Sequence, residues 1–251
     1  MNTLSGLVRG VLDRLGYVLW KRDVISYGVI SFLDIARLSK AMGREVEVFF
    51  DVGANIGQTS EAALKTFPSG KVYAFEPKSS VFNRLRDAVS DVRFSAHQLA
   101  LSDVSSEVVF YEYGAVDAAE VIGSLAPDAR FAVRHGLAPI WQSIVTCTTL
   151  DEFCERAGIP KVDVLKIDVK GFELFVLKGA KRLLGERAIQ FVYVEFNDLL
   201  PKPGTTGGAL FPIAEYLGLH GFTCVATYTD YINPEGEMFV VSNALFALSS
   251  S

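Results

Sequence analysis

Hydrophobic and polar positions change period repeatedly along this chain. From position 46 onward, short apolar runs alternate with stretches whose apolar residues recur every three or four positions. The runs at 46–50, 71–75, 92–101, 162–167 and 188–194 predict strands. The stretches at 58–67, 79–89, 172–184 and 210–217 predict helices, and Ser79 reads as a cap for the second of them. Thr148 and Thr149, followed by Asp151 and Glu152, open another short helix. Residues 107–113 alternate like an added hairpin strand, and 222–229 with 238–248 reads as a closing antiparallel pair.

Strand and helix in alternation imply an α/β domain, a mostly parallel sheet with helices on both faces. Residues 1–45 form a helical extension ahead of it, and 46–251 form the domain. In the extension Leu4, Leu7, Val8, Val11, Leu12 and Leu15 mark an amphipathic helix, suited to packing on the domain or on a second copy of the chain as a homo-oligomer. The stretch 114–142 lacks clear periodicity and interrupts a regular domain, which reads as a cap over a binding site and a source of substrate selectivity.

Composition narrows the class. The chain has 251 residues, 50% hydrophobic and 21% charged, which suits one packed α/β domain rather than a disordered chain. A formal net charge of −5 without a long basic run argues against nucleic acid as a main partner. No apolar stretch approaches the ~18 residues of a transmembrane helix, and charges within the N-terminal pattern argue against a secretory signal. The cysteines, Cys147, Cys154 and Cys224, form no C-x-x-C pair. They read as small core hydrophobes of a reduced, cytoplasmic protein.

The candidate chemistry begins where the first strand ends: Asp51-Val52-Gly53-Ala54-Asn55-Ile56-Gly57-Gln58-Thr59. A strand, a glycine turn and a helix start bring backbone N–H groups to one space, and the glycines predict close approach of a nucleotide-like ligand. A dinucleotide fingerprint from Gly53 needs glycine at 55 and 58, where Asn55 and Gln58 stand, and a P-loop needs a lysine after Gly57. The acid at Asp51 disfavours phosphate and suits a ligand with a cationic or neutral middle. Glu76, at the end of the second strand and followed by the strand-stopping Pro77, is placed to accept both hydroxyls of a ribose.

Further segments follow in order: Phe75-Glu76-Pro77, Ala100-Leu101-Ser102-Asp103, Thr149-Leu150-Asp151-Glu152-Phe153, Leu165-Lys166-Ile167-Asp168-Val169-Lys170-Gly171-Phe172-Glu173 and Val176-Leu177-Lys178-Gly179-Ala180. Together with the glycine turn, over roughly residues 46 to 197, they resemble the FkbM-type methyltransferases, a branch of the class I S-adenosylmethionine-dependent enzymes. Lys170 departs from the pattern, standing where the family commonly has Glu or Gln. The resemblance implies a Rossmann-like, seven-stranded sheet with its last strand antiparallel and the cofactor across the carboxyl ends of the strands. It implies that Asp51 and the turn Gly53, Ala54, Asn55 and Gly57, with Gln58 and Thr59, hold the methionine part. Glu76 and Pro77 then hold the ribose, and Ala100 and Leu101 border the adenine.

The activity so implied is O-methylation of a hydroxyl on a small molecule: a sugar, a glycolipid or a polyketide-type product. Asp168, at the end of a central strand, is a candidate base, cofactor contact or metal ligand. Glu195 ends the next strand, and neighbouring strands lie about 4.8 Å apart, so the two acids can converge. With Asn197 they offer oxygens for a hard cation such as Mg²⁺. His135, in the 114–142 stretch, is a candidate general base; His97 and His220 read as structural. Lys166 shares a strand face with Asp168 and reads as its orienter. Two other classes stay open: a nicotinamide-dependent oxidoreductase, against which the absent glycines count, and a non-catalytic cofactor-binding subunit.

Overall fold

The structure, a computed structural model, describes residues 11–12, 14–15, 24–113, 122–127, 139–203, 208–234 and 239–249. Leu4, Leu7 and Val8 of the N-terminal pattern, and His135, lie outside the described residues. In chain order the elements begin with helix α1 (Ser31–Ala41), strand β1 (Val48–Val52), α2 (Gln58–Thr66), β2 (Lys71–Phe75), α3 (Ser79–Ala88), β3 (Phe94–His97) and β4 (Ala100–Leu101). Strands β5 (Ser106–Tyr113), β6 (Ile122–Ser124) and β7 (Pro139–Thr148) follow, then α4 (Leu150–Ala157), β8 (Val162–Ile167), α5 (Glu173–Lys178) and α6 (Lys181–Gly185). The chain closes with β9 (Ile189–Phe196), α7 (Leu210–Leu219), β10 (Phe222–Asn233) and β11 (Phe239–Leu248).

Among the described residues, seven strands form the main sheet in the order β10-β11-β9-β8-β1-β2-β3. The pairs among β3, β2, β1, β8 and β9 are parallel. The last strand, β11, runs antiparallel to both β9 and β10. The seven strands and the antiparallel last strand are those the resemblance implies. Strand periodicity explains why both faces are covered. Phe49 packs with Ile35, Phe67 and Leu85 on the side of α1, α2 and α3. Its neighbour Phe50 packs with Phe153, Leu177 and Leu183 on the side of α4, α5 and α6. Both phenylalanines are fully buried, each contributing about 1.5–3 kcal/mol.

α1 is pinned to the sheet by a buried acid. Asp34 accepts hydrogen bonds from the Gly28 N–H at 2.8 Å and from the Tyr228 hydroxyl of β10 at 2.9 Å.

The structure revises several expected elements. Ser79 is the first residue of α3, whose cap position is Lys78, so the serine caps nothing. The strand expected over 92–101 is two: β3 stays in the main sheet, while β4 joins β7 in a second sheet. A tight turn, Leu99 N–H to His97 O at 2.9 Å, carries the chain across. The helix expected over 172–184 is also two. A Cβ on Gly179 would lie 2.0 Å from the Ser102 carbonyl oxygen, so the helix ends where the backbones meet. Asp151 then restarts it as α6, accepting from Arg182 N–H at 2.7 Å and Leu183 N–H at 3.1 Å. Cys147 and Cys154 are buried, as expected of core hydrophobes, but Cys224 is exposed.

The second sheet runs β4-β7-β5-β6. It takes its first strand from the end of β3 and includes described parts of the 114–142 stretch. No helix among the described residues is long and apolar enough to cross a membrane.

Candidate functional site

The carboxyl ends of β1, β2 and β8 open onto a cavity of about 350 Å³, within the range of small-molecule sites. Gly53, Asn55 and Gln58 line it from the glycine turn, and Glu76, Pro77 and Lys78 from the end of β2. Leu99, Ala100 and Leu101 form the wall where the chain changes sheets. Phe110, Gly123 and Leu125 close it from the second sheet, and Asp168, Val169 and Lys170 from the end of β8.

Eight of the residues expected to contact a cofactor therefore surround one space: Gly53, Asn55, Gln58, Glu76, Pro77, Ala100, Leu101 and Asp168. Asp51, Ala54, Gly57 and Thr59 do not line it. The Asp51 side chain is fully buried, accepting from Ser60 Oγ at 2.7 Å, with Lys166 Nζ 3.0 Å from its other oxygen. Ala54 gives its N–H to the Phe75 carbonyl, as Gly53 does.

The fold itself also requires the glycines at 53 and 57. Gly53 has φ +77°, and a Cβ there would stand 1.9 Å from the Asp168 carbonyl oxygen. Gly57 has φ +98°, and a Cβ there would stand 2.8 Å from a Val89 methyl. Both glycines let protein pack on protein at the turn.

Glu76 is 8% exposed. Its carboxylate accepts from Lys78 N–H at 3.0 Å and Asn55 N–H at 3.2 Å. Burial pushes its pKa up to about 7, against the opposing pull of those two N–H groups. An acid held this way at a cavity wall has unmet capacity to accept further donors. Lys78 in turn meets Glu112 of β5 at 2.7 Å, both side chains being largely buried, and so ties the end of β2 to the second sheet.

The strand-end acids do converge, but on a lysine. Lys170 Nζ lies 2.7 Å from Asp168 Oδ1 and donates to both Glu195 oxygens at 2.7 and 2.8 Å. Lys166 Nζ, donating to the Gly53 carbonyl at 3.1 Å, stands 3.7 Å from Asp168 Oδ2. Charges thus alternate from Asp51 through Lys166, Asp168 and Lys170 to Glu195, with one negative charge in excess if all are ionised. Burial alone would raise the Asp168 carboxyl, but the Lys170 and Lys166 ammonium groups outweigh it and hold Asp168 well below the usual carboxylate range. Burial, then repulsion from Asp168, pushes Glu195 upward.

The candidate cation site needs correction on the same ground. Asp168, Glu195 and Asn197 are candidate ligands for a cation such as Mg²⁺, but the Lys170 ammonium occupies the point between the two acids. Asn197 gives its N–H to the Gly208 carbonyl at 2.7 Å, and its side chain packs against Gly208. Among the described residues no group of three His, Cys, Asp or Glu side chains is arranged to hold a metal. The residues present do not fit a metal here.

His97 is half-buried and stacks on Phe75 at 5.3 Å, and His220 meets the Tyr216 carbonyl at 2.9 Å through Nδ1. Sequence reasoning missed Ser80, Val81 and Arg84, which line the cavity from the first turns of α3. Their signal was positional: a helix that starts just after Glu76-Pro77 presents its opening turns to the same ligand. Phe110, Gly123 and Leu125 had no comparable signal, since long-range pairing of the second sheet brings them in.

The Methyltransferase FkbM domain family model matches residues 51–222. Over 158 residues the chain is 28% identical to the 2-O-methyltransferase NoeI of Sinorhizobium fredii, the alignment covering 60% of this chain and 63% of that protein. It is 30% identical over 165 residues to the hexuronic acid methyltransferase AglP of Haloferax volcanii, covering 65% of this chain and 62% of that protein. It is 30% identical over 203 residues to the 31-O-demethyl-FK506 methyltransferase FkbM of Streptomyces tacrolimicus, covering 73% and 75%. The chain thus spans somewhat less than two thirds of the length of the first two.

Proposed function

Because this chain belongs to the FkbM methyltransferase family, we propose that it transfers a methyl group from S-adenosylmethionine to a hydroxyl of a small molecule, of the sugar, glycolipid or polyketide class. The observation that carries this reading is Glu76: a nearly buried carboxylate at the cavity wall, with its pKa raised to about 7. A ribose diol supplies the two donors this acid lacks. Leu99, Ala100 and Leu101 offer an apolar wall to the adenine, and the Asp168 carboxylate, held ionised at the cavity, favours a sulfonium. When bound, the cofactor supplies a methyl group already activated by positive charge.

The protein's own tasks are alignment of the acceptor and removal of its proton. Asp168, pinned between two ammonium groups, is a weak base and acts as the charge partner of the cofactor. Glu195 stands behind Lys170, which takes both its oxygens, and meets the acceptor only through that lysine. His135, outside the described residues, remains a candidate for removing the acceptor proton. The second sheet and the 114–142 stretch act as the cap, a role supported by Phe110, Gly123 and Leu125 at the cavity. Residues 46–251 form the catalytic domain behind a helical extension over 1–45, through which two copies associate, with the protein working in the cytoplasm.

The test is a thermal melt with S-adenosylhomocysteine, with NADH in parallel. Ligand at ~100 times its dissociation constant adds about 2.7 kcal/mol. We expect a shift of roughly 5–10 °C with S-adenosylhomocysteine and none with NADH. A shift with NADH alone would replace this reading with an oxidoreductase.

A further inference from the structure

Two carboxylates at neighbouring strand ends repel each other and draw a cation between them. In this chain the cation is covalently attached. The Lys170 ammonium contacts Asp168 and Glu195 at 2.7–2.8 Å. Its backbone is held in place as well. Lys170 has φ +52°, a left-handed conformation uncommon for a non-glycine residue. The Ser124 hydroxyl donates to its carbonyl at 2.8 Å. The next N–H, of Gly171, is taken by both Glu173 oxygens at 3.0 and 3.1 Å. Strain that is fixed from both sides marks a side chain whose position matters. Lys170 also lines the cavity, whereas the Glu195 side chain, 6% exposed, lies behind it.

We propose that Lys170 is a built-in cation: its ammonium takes the place between Asp168 and Glu195 that a divalent metal would take, and frees this site from divalent metal. It is a positioning residue, holding the two acids at fixed spacing beside the cavity. A second cation cannot share the point, because the ammonium already claims oxygens from both carboxylates and would repel a divalent charge. The inference deepens the methyl-transfer reading and rests on it for its catalytic meaning.

The experiment uses the full chain and Mn²⁺ alone as probe, followed by electron paramagnetic resonance. Wild type is expected to leave the free Mn²⁺ signal undiminished up to about 1 mM, the weak end of carboxylate cation sites. Lys170→Glu places three carboxylates round the point and should bind one Mn²⁺ per chain at least tenfold more tightly than wild type. That uptake should vanish on adding Glu195→Gln. A purely structural lysine predicts no such gain of a site.

One Mn²⁺ taken up by wild type and released by Glu195→Gln would overturn the proposal, and so would a folded Lys170→Glu that binds none. Should Lys170→Glu not fold, the lysine ammonium resonances of wild type decide. A slowly exchanging ammonium that disappears in Lys170→Met supports the proposal, and its absence refutes it. The S-adenosylhomocysteine melt of wild type is read separately. No shift there, with the cation results as expected, would sink the methyl-transfer reading and leave Lys170 as the resident cation.

Discussion

Lys166 Nζ stands 3.0 Å from Asp51 Oδ1 in a fully buried pair that joins β8 to β1. The acid that opens the glycine turn thus faces its neighbouring strand rather than the cavity. Its influence on a ligand passes through Lys166, which also holds the Gly53 carbonyl and approaches Asp168.

Asp51→Ala should therefore act first on stability. Removing one partner of a buried ion pair costs about 3–5 kcal/mol, because the other charge is left uncompensated. Urea unfolding of the variant should show that loss. A folded variant of unchanged stability but weakened S-adenosylhomocysteine binding would return Asp51 to the cavity.

Glu76 should behave in the opposite sense. Glu76→Gln is expected to keep the fold and weaken S-adenosylhomocysteine about 10–100-fold, or ~1.4–2.8 kcal/mol, by calorimetric titration. Ribose hydroxyls favour the ionised acid, so wild-type affinity should fall as pH drops below about 7. Stability has the reverse slope. The folded carboxyl binds its proton more tightly than the unfolded one, so this group contributes stability below pH ~4.5 that is lost as pH rises through about 7. Glu76→Gln should flatten both profiles.

Gly53→Ala and Gly57→Ala should differ in severity. At Gly53 the new methyl meets backbone, the Asp168 carbonyl oxygen at 1.9 Å; at Gly57 it meets side-chain methyls of Val89 and Leu85 at 2.8 and 3.0 Å. Both sites also carry positive φ. We expect Gly57→Ala to fold with a loss of about 1–3 kcal/mol, and Gly53→Ala to lose more or fail to fold, by circular dichroism melts. Equal, small losses would mean that the turn and β8 are not in contact.

Lys78 and Glu112 should be coupled energetically. Their contact at 2.7 Å, with side chains 17% and 13% exposed, joins the main sheet to the second one. A double-mutant cycle with Lys78→Met and Glu112→Gln should give about 1 kcal/mol of interaction. Each single variant should speed release of S-adenosylhomocysteine. A coupling of zero would show the second sheet to be held by its strand pairing alone.

The order of elements was legible in the sequence because the central strands β1, β2 and β8 are largely buried runs followed at once by a glycine or an acid. Val162–Ile167 and Lys71–Phe75 were readable to the residue. The first strand was displaced by two positions, because Val52 continues the buried run past Asp51. What periodicity could not convey was contact between distant backbones. The break at Gly179 depends on the Ser102 carbonyl, and the split between β3 and β4 depends on a partner, β7, some fifty residues away. At the site, residue type predicted where acids would gather and missed what lies between them. Lys170 was visible as a departure from the family pattern, but only its left-handed backbone brings its ammonium to Asp168 and Glu195.

The second sheet joins the chain's third crossover through a parallel pairing two residues long, Ala100 with Cys147 and Leu101 with Thr148. Beyond that root, β5, β6 and β7 pair only antiparallel, as hairpin strands do. Lengthening or shortening their far ends changes no register in the main sheet. The plan separates two engineering problems: a scaffold that must fold one way, and a rim whose strands keep a register of their own.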